Sequence, residues 1–403
     1  MRALRRGLGL IAAGMAASAV ADISPESVGP VIAPGYAAQA EDERGMWQVM
    51  SQLERQIANS NLLLRDDAVN DYVRGIVDDL MGVYAGDVRI YILRDPSFNA
   101  SMAPNGMMII HTGLLARMRN EAQLAAVLGH EAGHYLRRHS LNRWRSMKKK
   151  TAMMAVLSVG GGAATSGGGT NWLGLADAIN VGIVASIMSY SRKHETEADA
   201  FGLKLMADAG YTPESASEIW AQVVNERKAS AAARDKRYVD PSRSVLSSHP
   251  PSEQRQANLR RWAKTRTFYA DPNQAVTSGS DTWRIAIDPI RFDLLREQIK
   301  MNNPGASLYL IELLAEDGWT SELRYFEGEA YNLRGFDGDV ERAAQSYAAA
   351  VELPGAPAAA WRAHGYALQK AGDKEGASDA LKRYLELEPD APDAAMVRFS
   401  IRR

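Results

Sequence analysis

The 403-residue chain contains no cysteine. That absence excludes thiolate zinc sites, a cysteine nucleophile, structural disulfides and an N-terminal lipobox. Any metal must therefore be held by His, Asp or Glu. Net charge is nearly absent too: a formal −1 gives no global attraction to polyanions, and no nucleic-acid partner is expected. Long apolar runs are scarce. The pieces at 152–164 and 172–189 are too short or too interrupted for a confident membrane span. What remains is an ordinary globular balance, 46% hydrophobic and 24% charged, in a chain long enough for two domains with cores.

At the N-terminus, Arg2, Arg5 and Arg6 precede an apolar run from Leu8 to Val20, and Ala19-Val20-Ala21 offers a small-x-small cleavage site. This is the layout of a secretory signal over 1–21, with an alternative end at 40 after Ala38-Gln39-Ala40; the competing reading is a membrane anchor. Residues 41–80 read as two amphipathic helices, one with Trp47, Met50, Leu53 and Ile57 on a face, the other with Val69, Tyr72, Val73, Ile76 and Leu80. Val88 to Leu93 alternates like a strand. Phe98–Ala103 and Met107–His111 flank Pro104-Asn105-Gly106, a hairpin signal, so a small antiparallel sheet is expected.

From Asn120 the period becomes helical. Asn120 is a natural cap, and the helix is expected to run to about His139. The glycine-rich stretch at 157–170 reads as a covering segment. A second helix runs from Ser191 to Ala209 and stops at Gly210. Residues 265–285 read as a linker. Beyond it, Trp361, Gly365, Ala377 and Pro389 sit at the offsets of a roughly 34-residue tetratricopeptide unit. Gly328, Tyr331, Ala343 and Tyr347 mark an imperfect preceding unit; a generic Ala-rich helical hairpin pair is the alternative. The expected division is a first domain over 41–264 and an all-α tetratricopeptide-like domain over 286–403.

The chemistry concentrates in His130-Glu131-Ala132-Gly133-His134. Positions i and i+4 share a helical face, so both imidazoles can meet one ion, with Glu131 beside them to reach a water. A hydrolytic zinc usually takes a third protein ligand, sought in His194-Glu195-Thr196-Glu197-Ala198-Asp199. Spacing alone does not choose between Glu195, Glu197 and Asp199.

The two motifs together resemble the CAAX-prenyl-endopeptidase-like (HtpX/BepA) family of zinc metallopeptidases. Asn99-Ala100, Thr112-Gly113-Leu114, Ser191-Arg192 and Ser248-His249-Pro250-Pro251-Ser252 extend the likeness over roughly 45–262. The resemblance implies an α+β fold with a mainly helical gluzincin-type domain and one zinc ion per chain, bound by His130, His134 and Glu195. It implies Asp199 as the group that orients a ligand histidine and Glu131 as the general base. His249 becomes an oxyanion donor or a latency ligand, with Arg255 the weaker oxyanion candidate or a structural residue. A membrane-embedded prenyl-protein peptidase is set aside for want of several long apolar spans.

The remaining readings are local. His139, after Arg137-Arg138, reads as a structural cation at a helix end. His111 reads as a solvent-facing or cross-strand residue. Lys148 to Lys150 is a solvated run, or a peripheral contact with anionic lipid. A substrate peptide is expected to add to a sheet edge at Asn105 to Ile110, with Asn105, Met107 and Ile109 as its contacts. The expected function is a periplasmic zinc endopeptidase that cuts misfolded or stalled polypeptides, with the helical domain docking outer-membrane assembly machinery. The alternative is an assembly adaptor whose zinc site is latent.

Overall fold

A computed structural model describes residues 23–148, 190–239 and 253–402, apart from Arg266, Ala270 and Pro272. The signal at 1–21, the glycine-rich stretch at 157–170 and His249 with its flanking turn lie outside the described residues. Before the first helix, residues 23–40 run along the body of the protein. Val28 and Ile32 are buried, the Val31 amide donates to the Leu136 carbonyl at 2.9 Å, and the Gly35 amide donates to Asp87 at 2.9 Å.

Helix α1 (Glu41–Ala58) buries Met46 and Met50, and helix α2 (Asp67–Met81) buries Val69, Val73, Ile76 and Leu80, the stripe its period predicts. Asp66 caps α2 by accepting from the Val69 amide. Three strands follow: β1 (Arg89–Leu93), β2 (Ala100–Met102) and β3 (Met107–His111). Their order is β1-β3-β2, with β1 parallel to β3 and β2 antiparallel to it.

Two expectations are corrected here. The sheet is mixed, not antiparallel, and β3 is its central strand, so Asn105, Met107 and Ile109 do not lie along a free edge. The Pro-Asn-Gly turn does close the β2–β3 hairpin, with Gly106 in the left-handed region at φ 86°. The chain between β1 and β2, however, carries β2 past β3, and β1 pairs along the other side. The Asn105 side chain is committed elsewhere: its amide donates to Glu54 of α1 at 2.9 Å, where Arg89 and Tyr91 also bind.

Helix α3 (Glu121–Leu136) is capped by Asn120, which accepts from the Gln123 amide at 2.9 Å, and all its residues after the first are buried. It ends three residues before the expected stop. Arg138 takes a left-handed φ of 57°, and a new helical stretch begins at His139. Helix α4 (Arg192–Asp208) crosses α3 at close range because glycines face the contact. A Cβ on Gly202 would lie 2.7 Å from the His130 amide nitrogen, and one on Gly133 would lie 3.1 Å from Ala198 Cα. Helices α5 (Glu214–Ala232) and α6 (Glu253–Ala263) pack on this pair.

The stretch read as a linker is tied to the peptidase half. Thr277 exchanges backbone hydrogen bonds with Gly210 and Thr212, and Ser278 accepts from Ala122. Helix α7 (Ser280–Lys300) places Trp283 and Ile287 in the same core as α3, while Leu295 joins the next core. That core is built by α8 (Pro304–Leu314), α9 (Ser321–Arg334), α10 (Asp339–Glu352) and α11 (Ala358–Ala371). Helices α12 (Lys374–Leu387) and α13 (Ala394–Ile401) close the chain around Leu381, Tyr384 and Val397.

Candidate metal centre

One turn apart on α3, the His130 and His134 rings meet edge to face with centroids 4.7 Å apart and their Nε2 atoms 3.1 Å apart. Glu195 reaches in from α4, its carboxylate oxygens 3.5 Å from each Nε2. All three side chains are buried, and their donor atoms lie within 4.8 Å of one another. Glu131, also buried, follows His130 on the same helix.

The donor set fits a metal because the far side of each ring is engaged. His130 Nδ1 lies 2.9 Å from Asp199 Oδ1, and a carboxylate only accepts. With a metal on Nε2 the ring's proton sits on Nδ1; without one, Nε2 carries a proton of its own, facing Glu195. Burial and Arg255 push the His130 pKa down, but Asp199 and Glu195 outweigh them and hold it up at about 9. The site thus concentrates negative charge and favours a cation. Imidazole nitrogen and carboxylate oxygen without sulfur are donors that suit zinc and neighbouring divalent metals.

Arg255, from α6, grips the carboxylates from behind. Its Nε and Nη2 donate to the two Asp199 oxygens at 2.8 and 2.6 Å, and its Nη1 lies 3.0 Å from Glu195. The guanidinium is buried and lies over the Trp220 ring at 4.1 Å. Burial raises the Asp199 carboxyl, and Arg255 and His130 outweigh it, keeping its pKa below the usual range.

On the His134 side, a second histidine takes the place of the carboxylate. His139 Nδ1 lies 2.9 Å from His134 Nδ1, and His139 Nε2 lies 3.1 Å from Glu197, which Arg137 holds at 2.9 Å. The reading of His139 as a helix-end cation is corrected. Burial and the adjacent His194 push its pKa down to about 4, so the ring is neutral. Tyr190 stacks on His134 at 3.7 Å, its hydroxyl 2.7 Å from the Ser140 hydroxyl. His111 stays apart, its Nδ1 2.9 Å from the Ser97 hydroxyl.

The relay at His139 is invisible to spacing. On an unbroken helix, residue i+5 points about 140° away from residue i. Only the left-handed turn at Arg138 brings His139 back to His134, and that turn is held by contacts distant in sequence, the ion pair with Glu43 and the Tyr36 ring at 4.8 Å.

Two histidines one turn apart, a carboxylate from a crossing helix and an acid beside them form a buried donor set that could hold a metal ion. The comparison with known proteins agrees: residues 64–263 match Peptidase family M48, and the chain carries an M48 metallopeptidase domain. It is 30% identical over 173 residues to a mitochondrial metalloendopeptidase, OMA1, of Schizosaccharomyces pombe, covering 43% of this chain and 46% of that protein. It is 27% identical over 218 residues to a putative beta-barrel assembly-enhancing protease of Vibrio cholerae, covering 52% and 42%. To the beta-barrel assembly-enhancing protease of Escherichia coli it is 21% identical over 210 residues, covering 51% and 41%. The matched region thus spans less than half the length of each relative.

Proposed function

We propose that the chain is a zinc-dependent endopeptidase that is exported and cuts misfolded or stalled polypeptides in the periplasm. The observation that carries this reading is the convergence of His130, His134 and Glu195 donor atoms on one buried point beside Glu131. Zinc held there supplies Lewis-acid chemistry, lowering the pKa of water toward ~7 and polarising a carbonyl. The Glu131 carboxylate takes the proton from the attacking water and returns it to the leaving amine nitrogen. Asp199 keeps His130 in the tautomer that offers Nε2, and Arg255 keeps Asp199 ionised and pairs with Glu195. His249 is assigned the oxyanion or latency role by resemblance alone.

The substrate strand is assigned to β2 in place of β3. Asn99 pairs with His111 and Ala103 with Met107 through backbone bonds, which turns the Ala100 and Met102 N–H and C=O groups away from β3. β2 also packs against α3, the helix of the metal site. A peptide lying along that edge would gain main-chain hydrogen bonds near the site with little side-chain selectivity.

The C-terminal helices are assigned to tetratricopeptide-like pairs that dock a client or partner. Gly328 of α9 sits under the Tyr347 ring of α10, and Gly365 of α11 sits under Leu381 of α12, so the same close contact recurs in consecutive pairs. The names of two relatives point to β-barrel assembly as the setting.

Casein cleavage by the purified chain, compared with Glu131→Gln, tests the reading. Loss of cleavage in the variant with its fold intact is expected. Cleavage that survives the substitution would refute the assigned general base. A zinc-loaded chain that never cuts would favour an assembly adaptor with a latent site.

A further inference from the structure

The two ligand histidines are supported in different ways. His130 meets a carboxylate directly, whereas His134 meets another imidazole, and that imidazole meets the carboxylate. We propose that His139 is a positioning residue for the metal centre, relaying the orienting effect of Glu197 to His134; the proposal rests on the metallopeptidase reading above.

The argument is one of proton counting. Two facing Nδ1 atoms at 2.9 Å need one proton between them. Glu197 is gripped by Arg137 and lies 3.1 Å from His139 Nε2, so His139 carries its proton on Nε2 and donates it there. A ring that gives Nε2 to a metal keeps its own proton on Nδ1, so in His134 that proton points at His139 Nδ1, which accepts it. The shared proton therefore belongs to His134 Nδ1, and the His134 Nε2 lone pair is left facing Glu195 and His130. The opposite assignment would set a bare His139 Nε2 against a carboxylate. The relay is buried along its length, His139 at 1% and His134 at 0% exposure, so water does not substitute for it. One helix, α4, thus supplies the ligand Glu195 and the orienting groups for both histidines, Asp199 for one and Glu197 for the other.

The test uses the full-length chain with His139→Leu, His139→Asn and Glu197→Gln. Zinc affinity is read by competition with a chromogenic chelator, and geometry by the visible absorption of the Co2+-substituted protein. His139→Leu removes the acceptor and should weaken zinc 10–100-fold, as expected for a lost orienting partner, with an altered cobalt spectrum. His139→Asn places an acceptor oxygen near the lost Nδ1 and should recover most of both. Glu197→Gln should weaken zinc several-fold and shift the spectrum in the same direction. If His139→Leu does not fold, the Asn and Gln variants decide. A purely structural role would lower the melting temperature but leave zinc affinity and the cobalt spectrum of the folded protein unchanged; that result overturns the proposal. Wild-type protein that binds no zinc would overturn the metallopeptidase reading itself, whereas zinc-bound, active wild type with unchanged variants would remove the relay alone.

Discussion

Gly202 presses directly on the backbone of His130: a Cβ at residue 202 would come within 2.7 Å of the His130 nitrogen and 2.8 Å of the Gly129 carbonyl carbon. Backbone cannot swing aside as a flexible side chain can, so any larger residue must part α3 from α4. Since Glu195 and Asp199 ride on α4, the metal ligands would separate with the helices. Gly202→Ala should cost about 1–3 kcal/mol and weaken zinc binding. Gly45→Ala, in α1 with nothing within 4 Å, is the control and should stabilise by about 0.5–1 kcal/mol. Thermal melts and zinc titrations of the two variants check this; equal behaviour would refute the close crossing.

Arg255 is the buried cation that offsets Asp199 and Glu195. Removing it in Arg255→Met leaves buried carboxylate charge and should cost about 3–5 kcal/mol in metal-free protein. Zinc, itself a cation at the same carboxylates, should restore part of that loss. The stabilisation by saturating zinc should thus be larger in Arg255→Met than in wild type, when both are melted with and without the metal.

The metal pair was legible in the sequence because its determinants are local. The Asn120 cap, the i,i+4 histidines and the Glu195–Asp199 pair all lie within single helices, and helical spacing alone places each pair on one face. The hairpin turn was legible for the same reason. The central position of β3 was not, because a local turn says nothing about what pairs on the far side of the strand. Nor was the His139 relay, whose geometry depends on Arg138 being held by Glu43. Arg255 entered only through the resemblance, as a weaker oxyanion or structural candidate; its grip on Asp199 comes from packing α6 over α4.

Residues 23–40 behave as part of the peptidase half. Val28 and Ile32 are buried, and Arg137 donates to the Gly29 carbonyl at 3.1 Å. Burying each of the two apolar side chains is worth about 1.5–3 kcal/mol. A chain starting at Asp22 should melt like the full-length protein, whereas one starting at Glu41 should melt several degrees lower. Equal melting temperatures for the two truncations would contradict a stabilising role for residues 23–40.

Asp339 ties the loop before α10. Its carboxylate accepts from Arg334 at 2.8 and 2.7 Å, from the Phe336 amide at 2.9 Å and from Arg342 at 2.8 Å. Hydrogen bonding from Arg334 is the largest cause that holds its pKa well below the usual carboxylate value. With the folded pKa depressed, the contribution is present above the unfolded pKa of about 3.9 and fades as pH falls below it. Asp339→Asn should destabilise the helical half by about 1–3 kcal/mol at neutral pH, and the gap to wild type should narrow in acid. Chemical denaturation at pH 7 and pH 3 measures both.

The most direct test of the account is the metal content of the purified chain, read by mass spectrometry beside peptide cleavage before and after chelation. One zinc per chain, lost from a His130→Ala, His134→Ala double variant, with cleavage abolished by the chelator and restored by zinc, is the predicted result. A chain that holds no metal, or that cleaves equally well without it, would contradict the central claim.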